Sequence, residues 1–322
     1  MPANLPPDYY AAESAFRAAT TPQAKLEALE RMLAVMPHHK GTDHLRAELR
    51  ARMAKVTQEV GRQRARGHAD LYAVRREGAG QAVLVGAPNA GKSSLLHALT
   101  GAPARVADYP FTTQLPQPAM MPFEDIQVQL VDLPAVAPAA TPAWLRGLAP
   151  QADLLLLVVD LDADPTGEIQ MLHTELEGLR VKARSPAAAD EEGVPALVIG
   201  TKLDLAAASD CAELLRLELD ERLPLVPTSA VSGAGLDELR RRIVTALDVV
   251  RVYAKPPGRP ADLSRPFVLR NGSTVEDLAD VVHHELRQRL QYAVRCPPGA
   301  PPLRVGHHYQ LADRDVIELH SG

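Results

Sequence analysis

The stretch Ala82-Val-Leu-Val-Gly-Ala-Pro-Asn-Ala-Gly-Lys-Ser93 decides the fold of this chain. An apolar run leads into two glycines with four residues between them, followed by lysine and serine. In this pattern backbone N–H groups wrap a phosphate, Lys92 brings charge to the β- and γ-phosphates, and Ser93 offers a hydroxyl to Mg²⁺. An ordinary glycine-rich turn is the alternative, but the strand-like run before it and the helical pattern after it favour the motif. We therefore predict a nucleotide site with these phosphate contacts: Gly86, Ala87, Pro88, Asn89, Ala90, Gly91, Lys92, Ser93 and Ser94.

Length and composition limit the class of protein. The 322 residues are enough for two or three domains, and the net charge of −5 gives no overall signal for nucleic acid. Cys211 and Cys296 match no metal or redox spacing, and so few cysteines suit a reducing compartment. The apolar run 154–159 is too short to span a bilayer, and the first residues lack the layout of a signal peptide. We expect a cytoplasmic protein with no membrane contact.

Residues 8 to about 60 have a helical pattern. Thr21-Pro22 predicts an N-cap followed by a proline in the first turn, and apolar residues recur at helical spacing on both sides of a break, which indicates a helical hairpin. Between residues 40 and 76 the chain has ten Lys/Arg against four Asp/Glu. Two interpretations of this basic segment remain open. It is either an electrostatic surface for RNA or ribosome phosphates, centred on Arg62, Arg64 and Arg66, or a solvated helix face with a linker.

From residue 81 to about 250, short apolar runs alternate with helical patterns. This alternation is typical of an α/β domain with a doubly wound, mostly parallel sheet. The predicted strands are 81–85, 126–131, 153–159, 196–199 and 225–228. The predicted helices are 91–100, 142–149, 167–182, 209–222 and 235–249.

Further motifs follow the predicted strands in a consistent order. Asp132, after the strand 126–131, can hold the Mg²⁺ shell through water, and the backbone at Ala135 can sense a γ-phosphate. Thr112 and Thr113 lie in the loop before that strand. A threonine hydroxyl there can join Mg²⁺ only while a triphosphate is bound, which is the physical basis of a switch.

Base recognition is predicted after the strand 196–199. The carboxylate of Asp204, in Thr201-Lys-Leu-Asp204, can accept hydrogen bonds from N1–H and the 2-amino group of guanine, while the stem of Lys202 packs over the base. Ser229-Ala230 follow the next strand, where a backbone N–H can bind the guanine O6. Each short motif is weak alone, but together and in order they predict a guanine-nucleotide switch.

At these motifs the chain resembles the Ras-like translation-factor GTPases and, within them, the Obg superfamily. Val106-Ala-Asp-Tyr-Pro-Phe-Thr-Thr113 is similar to the first switch of that superfamily. The nearest resemblance is to the developmentally regulated GTP-binding (DRG) proteins, because Met36-Pro-His-His-Lys-Gly-Thr-Asp-His-Leu45 is similar to their N-terminal helical segment. Val252-Tyr-Ala-Lys-Pro-Pro-Gly258 resembles the start of their C-terminal TGS domain. Those proteins carry a small inserted domain in the GTPase domain, and the short loop 183–195 leaves no room for one here.

The chain departs from this family at positions that matter for hydrolysis and base binding. Ala135 replaces a glycine, and its Cβ narrows the backbone freedom that a switch uses. Thr201 replaces an asparagine, and the shorter side chain is expected to hold the base and the phosphate loop less well. Val136 stands where many GTPases have a water-orienting glutamine. Asn89 is either a ligand of a monovalent cation, as in related K⁺-stimulated GTPases, or only a hydrogen-bonding residue of the loop.

The region from residue 251 onward has the pattern of a small mixed α/β domain. Ser273-Thr-Val-Glu276 predicts a capping box before an amphipathic helix, and 315–319 predicts a closing strand. The resemblance to TGS implies a ubiquitin-like β-grasp that contacts RNA, the ribosome or a protein partner. We expect three parts: an N-terminal helical region with a linker (1–78), a GTP-binding domain (79–250) and a TGS domain (251–322).

The leading hypothesis is a Mg²⁺-dependent GTPase that binds GTP and GDP, hydrolyses GTP slowly and switches a ribosome- or RNA-linked interaction. A GTP-binding scaffold with little hydrolysis is the alternative that Ala135, Val136 and Thr201 suggest. An ATP-using P-loop kinase is a third hypothesis, which the pair Lys202 and Asp204 opposes.

Overall fold

The computed structural model describes residues 6–37, 42–72, 74–102, 116–138, 141, 145–219 and 222–321. It divides into two compact units, Met1–Ala73 and Val74–Gly322. Thr112 and Thr113 lie outside the described residues. None of the helices in the described ranges is both long and apolar enough to cross a membrane.

The first unit is helical in its described residues. Its helices are α1 (Pro7–Ala18), α2 (Pro22–Val35) and α3 (Asp43–Tyr72). The Thr21 hydroxyl accepts a hydrogen bond from the Ala24 N–H at 3.2 Å and Pro22 lies in the first turn, as the sequence predicts. A small apolar core joins the helices through Leu29, Met32 and Leu49. Helix α1 precedes the two predicted helices, and α3 continues through much of the segment expected to be a linker.

The second unit begins with an α/β domain. Its strands are β1 (Gln81–Gly86), β2 (Gln117–Phe123), β3 (Ile126–Asp132), β4 (Leu154–Asp160), β5 (Ala183–Arg184), β6 (Val194–Thr201) and β7 (Leu225–Pro227). Its helices are α4 (Lys92–Thr100), α5 (Leu145–Leu148), a 3₁₀ turn (Ala149–Gln151), α6 (Pro165–Gly178), α7 (Ala208–Leu219) and α8 (Leu236–Ala246). The strand order is β2-β3-β1-β4-β6-β5, and β7 also pairs with β6.

Parallel pairing places the strand ends that carry predicted site residues side by side. β1 pairs in parallel with β3 on one side and β4 on the other, and β4 pairs in parallel with β6. The carboxyl ends of β1, β3, β4 and β6 therefore meet at one edge of the sheet, which is where ligands bind in open α/β sheets. These ends are Gly86, Asp132, Asp160 and Thr201.

The sheet is covered on both faces. Along β4, Leu155, Leu157 and Val159 enter one apolar cluster, while the alternate residues of the strand enter the other. A strand buried on both faces needs a continuous apolar run, which explains why β4 is easy to predict.

Strand β2 was missed by the sequence prediction. It pairs antiparallel with β3 and carries Pro118 and Pro122. Proline has no backbone N–H to donate to a strand ladder and is tolerated only where its nitrogen faces away from a partner strand. Its presence therefore argues against a strand unless the strand lies at an edge. β2 is the outermost strand on one side of the sheet, next to β3.

A second sheet follows. Its elements are β8 (Val249–Lys255), β9 (Phe267–Arg270), α9 (Val275–Val282), α10 (His284–Arg289), β10 (Leu290–Arg295), β11 (Leu303–Val305) and β12 (Asp315–Ser321). The order is β11-β10-β12-β8-β9, with β12 parallel to β8 and the other pairs antiparallel, as in a β-grasp. The capping box is one residue later than predicted: Asp277 accepts from the backbone N–H of Thr274 at 2.7 Å and from its hydroxyl at 2.9 Å.

Candidate nucleotide-binding site

The phosphate loop connects β1 to α4. Gly86 ends β1, residues 87–91 form the turn, and Lys92, Ser93 and Ser94 begin α4. Gly91 has φ 84°, a left-handed conformation that favours glycine. A Cβ on Gly86 would lie 2.4 Å from the Val158 carbonyl oxygen, so only glycine fits there. The motif thus has the conformation and tight packing that its glycines predict.

Lys92 lies over the loop rather than in solvent. Its Nζ donates to the carbonyl oxygens of Gly86 at 3.0 Å and Ala87 at 2.8 Å. Burial lowers the pKa of Lys92, and the charges of Asp132 and Glu168 act against this shift. The ammonium group is therefore held at the mouth of the loop, where a phosphate can replace a carbonyl as its partner.

Ser93 and Asp132 meet where a magnesium ion is expected. The Ser93 hydroxyl donates to Asp132 Oδ2 at 2.6 Å, which joins α4 to the end of β3. The other carboxylate oxygen, Oδ1, is buried and has no hydrogen-bond partner among the described residues. Burial raises the pKa of Asp132, and the Ser93 bond and the Lys92 charge oppose that rise. A buried, unpartnered oxygen beside a serine hydroxyl fits the Mg²⁺ shell, because Mg²⁺ keeps several waters that need such acceptors.

Thr201 ties the phosphate loop to the sheet. Its hydroxyl lies 2.8 Å from the Ala90 carbonyl oxygen and 3.1 Å from that of Val159, and can donate to either. The side chain also packs against Gly91, where an added Cβ would lie 3.3 Å from Thr201 Oγ1. The shorter side chain thus reaches the loop directly, and the expectation that it holds the loop less well than asparagine stays a prediction.

The residues predicted to recognise the base lie next to one another after β6 and β7. The Ser229 hydroxyl donates to Asp204 Oδ1 at 2.5 Å and accepts from the backbone N–H of Ser232 at 3.0 Å. Asp204 is otherwise exposed, so its carboxylate is oriented by Ser229 but remains open to a ligand. Ala230 follows in the adjoining turn.

Two acidic residues near the site were missed by sequence reasoning. Asp160 ends β4 and forms an ion pair with Lys202, whose φ of 61° is left-handed. Glu168, on α6, accepts from the Asp160 backbone N–H at 2.8 Å, and burial raises its pKa. The signal for Asp160 was available, because it terminates a predicted strand at the same sheet edge as Asp132.

The loop expected to act on the γ-phosphate offers no polar side chain at Ala135 or Val136. Ala135 is half-buried in the loop after β3. Val136 is 1% exposed, packs in the apolar core and donates its N–H to the Gly86 carbonyl oxygen at 3.0 Å. Its side chain thus faces the core, so it cannot orient water.

Thr201→Val should weaken nucleotide binding about fivefold to tenfold and lower the free energy of unfolding by about 1–2 kcal/mol. Valine keeps the shape but removes the donor to the buried Ala90 and Val159 carbonyls. Thr201→Ser, which keeps the hydroxyl, is the matched control. Denaturant titration and fluorescent-nucleotide binding measure both effects, and equal values for the two variants would show that the hydroxyl does not brace the loop.

Two family models match the second unit of this chain. The family model "50S ribosome-binding GTPase" matches residues 81–189, and the model "TGS domain" matches residues 250–321. The domain that contains β1 to β7 is a P-loop GTPase domain, and the β-grasp that follows it is a TGS domain. The FeoB G-domain from Methanococcus jannaschii overlaps 52% of this chain and 97% of its own, at 23% identity and a TM-score of 0.39.

Full-length relatives were also found. The chain is 26% identical to an uncharacterized GTP-binding protein of Methanocaldococcus jannaschii, over 92% of each chain. It is 27% identical to Developmentally-regulated G-protein 2 and 28% identical to Developmentally-regulated G-protein 1 of Arabidopsis thaliana, over 92% of this chain and 90% of each relative. The first alignment spans 361 positions, more than the 322 residues of this chain, so that relative has residues that this chain lacks.

Proposed function

We propose that this homologue of the developmentally regulated GTP-binding proteins is a Mg²⁺-dependent GTPase that cycles slowly between GTP and GDP. One observation carries the proposal: a single sheet edge holds the phosphate loop, the Ser93–Asp132 pair and the Ser229–Asp204 pair. The first pair suits a metal-bound triphosphate and the second suits a guanine base.

In the proposed reaction, water attacks the γ-phosphorus in line with the bridging oxygen of the β-phosphate. The bond from the γ-phosphorus to that oxygen breaks, GDP leaves with the bonding electron pair, and the water proton passes to phosphate. Lys92 and the N–H groups of 87–91 bind the phosphate oxygens and offset their growing charge. Ser93, Asp132 and, by the family pattern, Thr112 and Thr113 would hold Mg²⁺, which supplies further charge neutralisation when bound.

We attribute the proposed slow turnover to the loop after Asp132. Val136 is buried and has no polar group that could orient the attacking water. The Ala135 N–H is left to contact the γ-phosphate and does not replace the missing water-orienting side chain. Asn89 is a candidate ligand of K⁺, which would add positive charge beside the phosphates.

Single-turnover hydrolysis distinguishes this proposal from the alternative that the protein is a GTP-binding scaffold. The burial of Val136 favours that alternative. We expect slow formation of GDP that requires Mg²⁺ and becomes faster with K⁺ or with ribosomal subunits. Asn89→Ala should remove the K⁺ effect but not GTP binding. If GTP binds but no GDP forms under any of these conditions, the protein is a scaffold and not an enzyme.

We also propose a cytoplasmic location and an RNA or ribosome partner. Both cysteines are free thiols, which suits a reducing compartment. Helix α3 carries the basic segment, and a TGS domain follows the GTPase domain. A protein partner at the TGS domain is an alternative to RNA.

Reversing the charge of Arg62, Arg64 and Arg66 to Glu should weaken co-sedimentation with ribosomes at least tenfold at low salt. The three lost cations should also make the affinity less dependent on salt. The matched control reverses Arg17, Lys25 and Arg31, which lie on the first two helices. If both triple variants bind equally well, the basic segment of α3 is a solvated helix face.

A further inference from the structure

A two-stranded ribbon connects the nucleotide site to the TGS domain. β2 and β3 pair along their full lengths, from Gln117 opposite Asp132 to Phe123 opposite Ile126. Asp132 at one end is bonded to Ser93 in the phosphate site. The other end is the turn Glu124-Asp125, about 20 Å away at the usual rise per strand residue. The ribbon therefore runs from the phosphate site to the turn at the far end of β2 and β3.

The turn is docked on the TGS domain by ionic contacts. The guanidinium of Arg251, on β8, donates to Glu124 and to Asp125 Oδ1, the latter at 2.9 Å. The Tyr253 hydroxyl also donates to Asp125, and Arg314 donates to Glu124 Oε2 at 2.7 Å. Both carboxylates at the tip of the ribbon thus have TGS donors.

Arg251 is held in position for these contacts by burial and by Asp313. Its side chain is 10% exposed, and Asp313 fixes it from within the TGS domain through bonds of 3.0 and 2.7 Å. The bonds from Arg251 lower the pKa of Asp313, and those from Arg251 and Arg314 lower the pKa of Glu124. The contact is therefore fully ionised at neutral pH, and charge-assisted hydrogen bonds of this kind are stronger than neutral ones.

The tip half of the ribbon has few backbone pairings with the rest of the GTPase sheet. β3 pairs with β1 only from Gln129 to Asp132. Nearer the tip, the described contacts with the preceding segment are the bridge from Gly78 to Val128 and the bond from the Ala79 N–H to the Gln127 carbonyl oxygen at 2.7 Å. Met121 and Val128 are nevertheless fully buried in the apolar core with α4. The core therefore holds the strands of this half, and the TGS contacts hold the turn at its tip.

We propose that the β2–β3 ribbon couples the nucleotide site to the TGS domain, so that GTP and GDP favour different docking of the Glu124-Asp125 turn on Arg251. The inference rests on the proposed function and adds the regulation of its site. The backbone after Asp132 reaches the phosphate loop through the bond from Val136 to Gly86. A γ-phosphate that binds the backbone N–H groups after Asp132 shifts the end of β3. Because β2 and β3 are paired along their full lengths, the shift reaches the turn at the other end of the ribbon. By linkage, docking then changes the relative affinity for GTP and GDP by the same factor.

The test compares two ways of weakening the domain contact in the full chain. Glu124→Gln with Asp125→Asn removes the charges at the tip of the ribbon. Arg270→Gln is the matched control, because Arg270 pairs with Asp153 at the start of β4, at 3.7 Å, and does not touch the ribbon. Dissociation constants for GDP and a non-hydrolysable GTP analogue are measured with Mg²⁺. We expect the double variant to change the ratio of the two constants at least fivefold, a typical coupling, and the control to change it less than twofold.

Hydrogen exchange of residues 249–255 reports docking in the same samples. The proposal predicts different protection of this segment with GDP and with the GTP analogue in the unmodified chain. Equal protection with both nucleotides, or a ratio in the double variant within twofold of the unmodified chain, would overturn the coupling. An unmodified chain that binds neither nucleotide would contradict the proposed function itself, which separates the two failures.

Discussion

Asp204→Asn should lower the affinity for GDP and GTP at least about 100-fold, because a site built to receive two hydrogen-bond donors rejects a ligand that it can no longer pair. In the unmodified chain the carboxylate is open to a ligand and is oriented by the Ser229 hydroxyl at 2.5 Å. Guanine offers it N1–H and the 2-amino group. An asparagine amide turns one acceptor into a donor, which then faces the 2-amino group.

The same variant should gain affinity for xanthosine diphosphate. Xanthine keeps N1–H but has a carbonyl at C2, so the asparagine oxygen and NH₂ can pair with both positions. This gain shows that the variant is folded. Asp210→Asn, at an exposed position on α7, is the control and should leave GDP binding unchanged. Unchanged guanine binding in Asp204→Asn would mean that Asp204 does not read the base.

Lys92→Met should lower the rate of GTP hydrolysis about 100- to 1000-fold, the usual cost of one lost donor to a developing anionic charge. Methionine fills the space of the buried stem but has no ammonium group to move from the Gly86 and Ala87 carbonyls to a phosphate. Because the lysine serves the β- and γ-phosphates, the affinity for GTP should fall more than the affinity for GDP.

Single-turnover assays and nucleotide titrations measure both effects of Lys92→Met. Lys182→Met, at an exposed lysine of the same domain, should behave like the unmodified chain. A Lys92→Met rate within tenfold of normal would mean that phosphate charge is neutralised elsewhere.

Much of the nucleotide domain could be predicted because its signals are local. A strand buried on both faces, such as β4, is a continuous apolar run, and the phosphate loop has fixed glycine positions. The strand-end rule then places Asp132 and Thr201 without any knowledge of tertiary contacts. The same rule also applies to Asp160, although this residue belongs to no familiar motif.

Other features depend on contacts that the sequence does not display. β2 contains two prolines and is a strand only because it lies at the edge of the sheet. The bond from Thr201 to Ala90 joins residues 111 positions apart, so its strength could not be judged from the shorter side chain. The docking of Arg251 on the Glu124-Asp125 turn likewise joins two domains and leaves no periodic pattern.

The proposed hydrolysis depends on the loop with Ala135 and Val136, which has no side chain that could orient water. The phosphate loop and the residues predicted to recognise the base have direct partners in the structure, whereas Val136 faces the core. The proposal of slow intrinsic turnover, with acceleration by a cation or a partner, rests on this difference.

Titration of the unmodified chain with GDP, a non-hydrolysable GTP analogue and an ATP analogue, with Mg²⁺ present, tests the central claim most directly. A guanine-nucleotide site built on Asp204 and Ser229 predicts that both guanine nucleotides bind at least about 100-fold more tightly than the adenine nucleotide. Equal binding of the ATP analogue, or no binding of either guanine nucleotide, would contradict it.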